Sequence, residues 1–122
     1  MLDWARIGGM TAVAASFLVG VQEPARAHHG WSGYDASRLV TLTGTVQSAS
    51  FDFPHAMLML QADGKLWEVV LAPPSRMERR GLPAGSIEAG QEVTVEGYAH
   101  RTDETEFRAE RIQVNGSAVE LR

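Results

Sequence analysis

The sequence predicts a mainly β protein, a small OB-like and partly open barrel of five to six strands with one short helix between strands three and four. Apolar and polar residues alternate, and β-branched residues are dense, in several segments after residue 38. Asp63-Gly64 and Asn115-Gly116 are typical of tight hairpin turns. A sheet of this size must curl to bury one face and protect its edges, which favours a barrel. Another small β-barrel or roll is the alternative.

The first three strands are predicted from residue 39 to 71. Strand one covers residues 39–50, with Gly44 expected at a bend or bulge. Pro54 belongs to the following turn because proline cannot donate to a strand ladder. Strands two and three, 55–62 and 65–71, are joined by the first hairpin turn.

A short helix and three further strands complete the domain. The helix is predicted over residues 74–80, with proline in its first turn and Gly81 beyond its end. A fourth strand covers residues 91–100, and a short closing strand covers 117–121. The fifth strand is expected to contain a bulge, because its apolar residues shift phase by one position: Phe107 and Ala109, then Ile112 and Val114.

The first 27 residues have the pattern of a secretory signal peptide. A basic residue precedes an apolar run, Ile7 to Val21, and small residues occupy positions 25 and 27. The run is shorter than the roughly 20 residues that a spanning helix requires, so an uncleaved anchor is the less favoured alternative. We therefore expect a cleaved signal peptide (1–27), an N-terminal arm (28–38), a barrel domain (39–122) and a periplasmic or secreted bacterial protein.

Composition excludes several classes of function. The formal net charge of −4 argues against binding to a phosphate backbone. The chain contains no cysteine, which excludes thiolate catalysis, thiolate zinc sites and covalent haem attachment. No stable membrane insertion is expected once the signal peptide has been removed.

The histidines suggest a copper site. Cleavage after Ala27 would place a free amine beside His28 and His29, and these nitrogen donors suit copper. His55, fixed at a turn before the second strand, is the best candidate for a distant donor. The alternative is that the terminal imidazoles are solvated and His55 only caps its turn.

Two methionines extend this hypothesis. Alternate residues of a strand share a face, so Met57 and Met59 should lie on the same side as His55. Thioethers suit Cu(I), although methionines also commonly fill packing gaps. The other face, formed by Ala56, Leu58 and Leu60, is expected to line the barrel interior.

The remaining polar clusters are interpreted as solvated. Three basic residues of the short helix would complement its C-terminus: Arg76, Arg79 and Arg80. Three acidic residues, Asp103, Glu104 and Glu106, would lie in a polar loop together with His100.

An aromatic platform for sugars or bases is a further alternative. It would be formed by Trp31, Tyr34, Phe51, Phe53 and Trp67.

Several motifs together resemble a family of small secreted bacterial proteins known only as a domain of unknown function. They are His28-His29-Gly30-Trp31, Leu42 to Val46 (Leu-Thr-Gly-Thr-Val), Pro54-His55-Ala56, Trp67 and Gly90 to Tyr98. Members of that family usually have asparagine and an aromatic residue where this chain has Phe53 and Met57. The resemblance implies export and one β-rich domain, and it implies no activity.

The sequence therefore favours an exported, non-catalytic binding protein that takes copper through a processed His-His terminus. The alternative is a metal-free OB-like module that binds a small molecule or a protein partner on the outer face of strands two and three. An oxidising copper enzyme is a third reading, and no catalytic motif supports it.

Overall fold

Six strands and one short helix follow one another in the computed structural model, which describes residues 31–122. In chain order they are β1 (Val40–Ser50), β2 (Met57–Ala62), β3 (Lys65–Val70), α1 (Pro74–Arg79), β4 (Glu92–Ala99), β5 (Glu106–Val114) and β6 (Ser117–Glu120). Residues 1–27, the predicted signal peptide, and His28 and His29 lie outside the described part of the chain.

The strands close into a barrel. They pair in the order β3-β2-β1-β4-β5-β6, with antiparallel neighbours throughout. A parallel pairing of β3 with β5 joins the two ends of the first five strands into a ring, and β6 is an extra strand on β5. The predicted OB-like barrel, with its helix between the third and fourth strands, is confirmed.

Alternation along the strands decides which side chains enter the barrel. Leu42 and Val46 of β1 are each 1% exposed, whereas the threonines between them face outward. The predicted interior face of β2 is confirmed, because Ala56, Leu58 and Leu60 are fully buried. Met77 of α1 is also fully buried and packs against the same core. The helix therefore contributes Met77 to the barrel core.

Both hairpin turns have the geometry that their sequences predict. Asp63 and Gly64 have φ values of 51° and 76°, and Asn115 and Gly116 have values of 51° and 81°. Positive φ at both central residues is the mark of the type I′ turn, whose twist matches that of the flanking strands.

Two bulges interrupt the ladders. On β5 the partner of Glu96 is Arg111 and the partner of Gly97 is Ala109, so one extra residue produces the phase shift predicted for this strand. On β1 the irregularity falls between Val46 and Ser48, not at Gly44 as expected.

Gly44 is required for another reason. A Cβ at this position would lie 2.1 Å from the carbonyl oxygen of Gln61 and 2.8 Å from the Cβ of Ala62. The glycine therefore permits close approach of β1 and β2.

The basic residues of α1 are not simply solvated. Arg76 donates a hydrogen bond to the carbonyl of Leu121 (3.2 Å), and Arg80 donates to the carbonyls of Glu120 (3.1 Å) and Arg122 (2.7 Å). Two of the three arginines thus hold the last residues of the chain, and Leu121 is buried. Arg79 and Arg80 are both exposed, as expected, whereas Arg76 is half-buried.

Within residues 31–122, no helix combines the length and the apolar character needed to cross a bilayer.

We expect Gly44→Ala to lower the free energy of unfolding by about 1–3 kcal/mol, because the added methyl group overlaps the backbone of β2. Urea unfolding followed by circular dichroism measures this loss. Thr41→Ala, an exposed substitution on the same strand, is the control and should change the value by less than about 0.5 kcal/mol. Equal stability of the two variants would contradict the close approach.

Candidate functional site

An open cavity of about 320 Å³ lies where the chain enters β2. The segment between β1 and β2 forms its mouth, and the neighbouring strands β2, β3 and β5 form its wall. The arm contributes one buried tyrosine. The lining residues are Tyr34, Ser50, Asp52, Phe53, Pro54, His55, Met57, Glu68, Val70, Glu106 and Arg108.

The parallel pairing of β3 with β5 determines the polar wall. Glu68 is in register with Glu106, and Val70 is in register with Arg108. Because alternate residues of a strand share a face, all four side chains point to the cavity and the residues between them, Val69 and Phe107, enter the core. Two carboxylates therefore lie side by side on this wall.

Glu106 is a buried carboxylate with identifiable partners. The residue is only 7% exposed, and Nε2 of His100 lies 3.4 Å from its Oε2. Nδ1 of the same imidazole accepts hydrogen bonds from the amides of Thr102 (3.2 Å) and Asp103 (3.0 Å). In the neutral ring the proton must then be on Nε2, which faces the carboxylate. His100 thus stabilises Glu106 without needing a positive charge.

Tyr34 covers this pair from the arm. It is 4% exposed, and its ring meets that of His100 edge to face at 5.2 Å. Burial raises the pKa of the Tyr34 phenol well above its usual range, and the neighbouring charge of Glu106 raises it further. The phenol therefore stays neutral at physiological pH.

Trp31 attaches the arm to the barrel through two arginines. The guanidinium carbons of Arg108 and Arg122 lie 4.3 and 4.4 Å from the centre of its ring. Tyr98 meets the same indole edge to face at 5.6 Å. These cation–π and aromatic contacts place residue 31 beside the wall that Arg108 shares with the cavity.

His55 lies half-buried in the cavity. Burial lowers the pKa of its imidazole, and the positive charges of Arg108 and Arg76 lower it further. A neutral imidazole keeps a lone pair available as a ligand or hydrogen-bond acceptor.

The other predicted copper donors are distributed unevenly. Met57 lines the cavity together with His55, whereas Met59 is half-buried opposite Glu68 and is not part of the lining. His28 and His29 precede the described residues. Within residues 31–122, no group of three or more histidine, aspartate or glutamate side chains is arranged to hold a metal ion.

Two interpretations from the sequence are wrong. His100 is not a solvated loop residue, and Glu106 does not belong to the polar loop with Asp103 and Glu104. Glu106 lies on the cavity wall because β5 pairs there with β3, and His100 is half-buried beside its carboxylate. Glu106 begins an alternation with Arg108, and that spacing was the one sequence signal that could have found it.

The five aromatic residues do not form one platform. Trp31 and Tyr34 lie together at the arm, and their ring centres are 6.3 Å apart. Trp67 packs against Phe107 of the core at 5.9 Å, and Phe53 stands 88% exposed at the cavity mouth.

We expect His55 to titrate below its ordinary pKa of about 6.5, because burial and nearby positive charge disfavour its protonated form. Arg76→Met should raise the pKa of His55 but leave it below the ordinary value, since burial is the larger cause. The chemical shift of the imidazole Hε1, followed by NMR against pH, measures this. Arg79→Met removes an exposed charge from the same helix and should leave the titration unchanged; an equal shift in both variants would contradict the assignment.

Comparison with curated proteins finds no match to this chain. The sequence profile of DUF6152, a family of unknown function, matches residues 14–108. This range includes Trp31 and every residue that lines the cavity. The resemblance to a family of unknown function that the motifs indicated is confirmed, and this protein belongs to DUF6152.

Proposed function

We propose that this protein is an exported, non-catalytic periplasmic binding protein that holds copper between its processed N-terminus and the cavity. The donors are the terminal amine and imidazoles of His28 and His29 together with His55, with Met57 as a soft donor beside them. Met59 lies two residues further along β2 and is a secondary candidate.

The position of Trp31 carries the proposal. Its ring contacts Arg108, and Arg108 lines the same cavity as His55. Residue 28 is only three positions earlier in the sequence, and three extended residues span at most about 10 Å. A chain that leaves Trp31 towards the cavity therefore gives its terminal amine a reach of about 10 Å in the direction of His55.

The chemistry of the cavity supports the same ligand. The neutral imidazole of His55 requires less proton release on metal binding, and the acidic wall favours a cation. No metal cluster is complete within residues 31–122, so the proposal requires donors from the residues before Trp31.

We expect the protein beginning at His28 to bind one equivalent of Cu(II) in isothermal titration. A single alanine added before His28 should weaken binding by about tenfold or more, because the amine is moved away from the imidazoles. His55→Gln should weaken it as well. Affinity should fall towards pH 5, where the amine and the imidazoles become protonated.

Two results would contradict this proposal. One is undiminished binding by the protein with the added alanine. The other is an exported protein whose first residue, found by native mass spectrometry, is not His28.

The alternative function is a metal-free module that binds a small molecule or a protein partner. In its favour is a cavity whose volume is at the lower end of the range for small-molecule sites.

A further inference from the structure

We propose that the cavity at the entrance to β2 binds a small organic cation, an ammonium compound with an apolar body, between Glu68, Asp52 and the exposed ring of Phe53. Every residue that this proposal uses belongs to the described range 31–122, and the proposal does not depend on copper.

The balance of charge in the cavity favours a cation. Three carboxylates line it, those of Asp52, Glu68 and Glu106, against the single guanidinium of Arg108. Arg108 already lies over the rings of Trp31 and Tyr34. Arg76, which is bonded to the carbonyl of Leu121, and Arg122, which is paired with Glu110, are not among the described lining residues. An anionic ligand would meet net repulsion.

Glu68 is the carboxylate best placed to receive the cation. It is half-buried and stands in register beside Glu106, so two like charges adjoin on one wall. Glu106 has His100 as a partner, whereas Glu68 makes no side-chain hydrogen bond or ion pair to any residue of the range 31–122. A bound ammonium group would offset the repulsion between the two carboxylates and donate hydrogen bonds to Glu68.

Apolar side chains define the rest of the ligand. Phe53 is 88% exposed at the mouth, and Pro54, Met57 and Val70 continue the apolar surface inward. The ring of Phe53 can contact either an ammonium group, through its π face, or an apolar body. A purely apolar ligand would leave the carboxylates desolvated without compensation, so both features are needed in one molecule.

The size of the cavity limits the ligand to a small molecule. Its volume of about 320 Å³ lies near the lower limit of the range typical of small-molecule sites, about 300–1,000 Å³. An amine with a single ring is of suitable size.

The test is a titration of the protein beginning at His28, kept metal-free with EDTA, with three probes of nearly equal shape. These are phenethylamine (cationic), phenethyl alcohol (neutral) and phenylacetate (anionic), with binding followed by NMR shifts of the cavity residues. We expect saturable binding of the amine, at least about tenfold tighter than that of the alcohol, and none of the acid. Equal binding of amine and alcohol, preference for the acid, or no saturation by the amine would overturn the proposal.

Matched variants locate the site. Glu68→Gln should weaken binding of phenethylamine by about tenfold, and Phe53→Ala should also weaken it. Glu92→Gln removes the same charge from an exposed position on β4 outside the cavity and should have no effect. An equal loss in the Glu68 and Glu92 variants would show a general effect of net charge and would overturn the proposed site.

The outcome is separable from that of copper binding. Phenethylamine is titrated in EDTA, and the alanine added before His28 should leave its affinity unchanged while it weakens copper. Loss of copper binding with retained amine binding would refute only the copper proposal. The reverse result would refute only the organic cation.

Discussion

The pairing of β3 with β5 is the constraint on which both the barrel and its cavity depend. It is the single parallel contact among the strand pairings of residues 31–122, and it joins the two ends of an otherwise antiparallel sheet. Without it β3 and the first residues of β5, Glu106 to Arg108, would present unpaired edges, since β6 pairs only with Arg111 to Val114. The same register sets Glu68 beside Glu106 and directs Arg108 to the cavity, while Val69 and Phe107 enter the core. Closure of the barrel and formation of the polar wall therefore depend on the same pairing. A shift of one residue in its register would exchange the core side chains with the charged ones.

Features that depend on short stretches of sequence could be predicted, and features that depend on closure could not. Alternation located the strands, and Asp63-Gly64 and Asn115-Gly116 specified their turns, because these signals act over a few residues. The bulge of β5 was visible as a phase shift between Ala109 and Ile112. The residue in register with Glu68, in contrast, is Glu106, which lies far along the chain. No local pattern of sequence shows that the two adjoin.

The candidate site divides in the same way. His55 and Met57 both line the cavity, in agreement with the shared side that their spacing indicates, although β2 begins only at Met57. The burial of Glu106 and His100 could not be predicted, because neighbouring residues such as Asp103 and Glu104 are polar and are typical of a loop. Gly44 was expected at a bulge for a similar reason, since the sequence shows a glycine but not the carbonyl of Gln61 that approaches it.

The contacts of the chain's last residues have a consequence for the order of assembly. Arg76 and Arg80 fix the backbone of residues 120–122, and Arg122 lies over Trp31, so the arm is held partly by the part of the described chain that leaves the ribosome last. During synthesis the indole of Trp31 therefore lacks one of its two guanidinium neighbours until residue 122 has been added. The contacts that fix the arm are completed only after all the strands of residues 31–122 have been made.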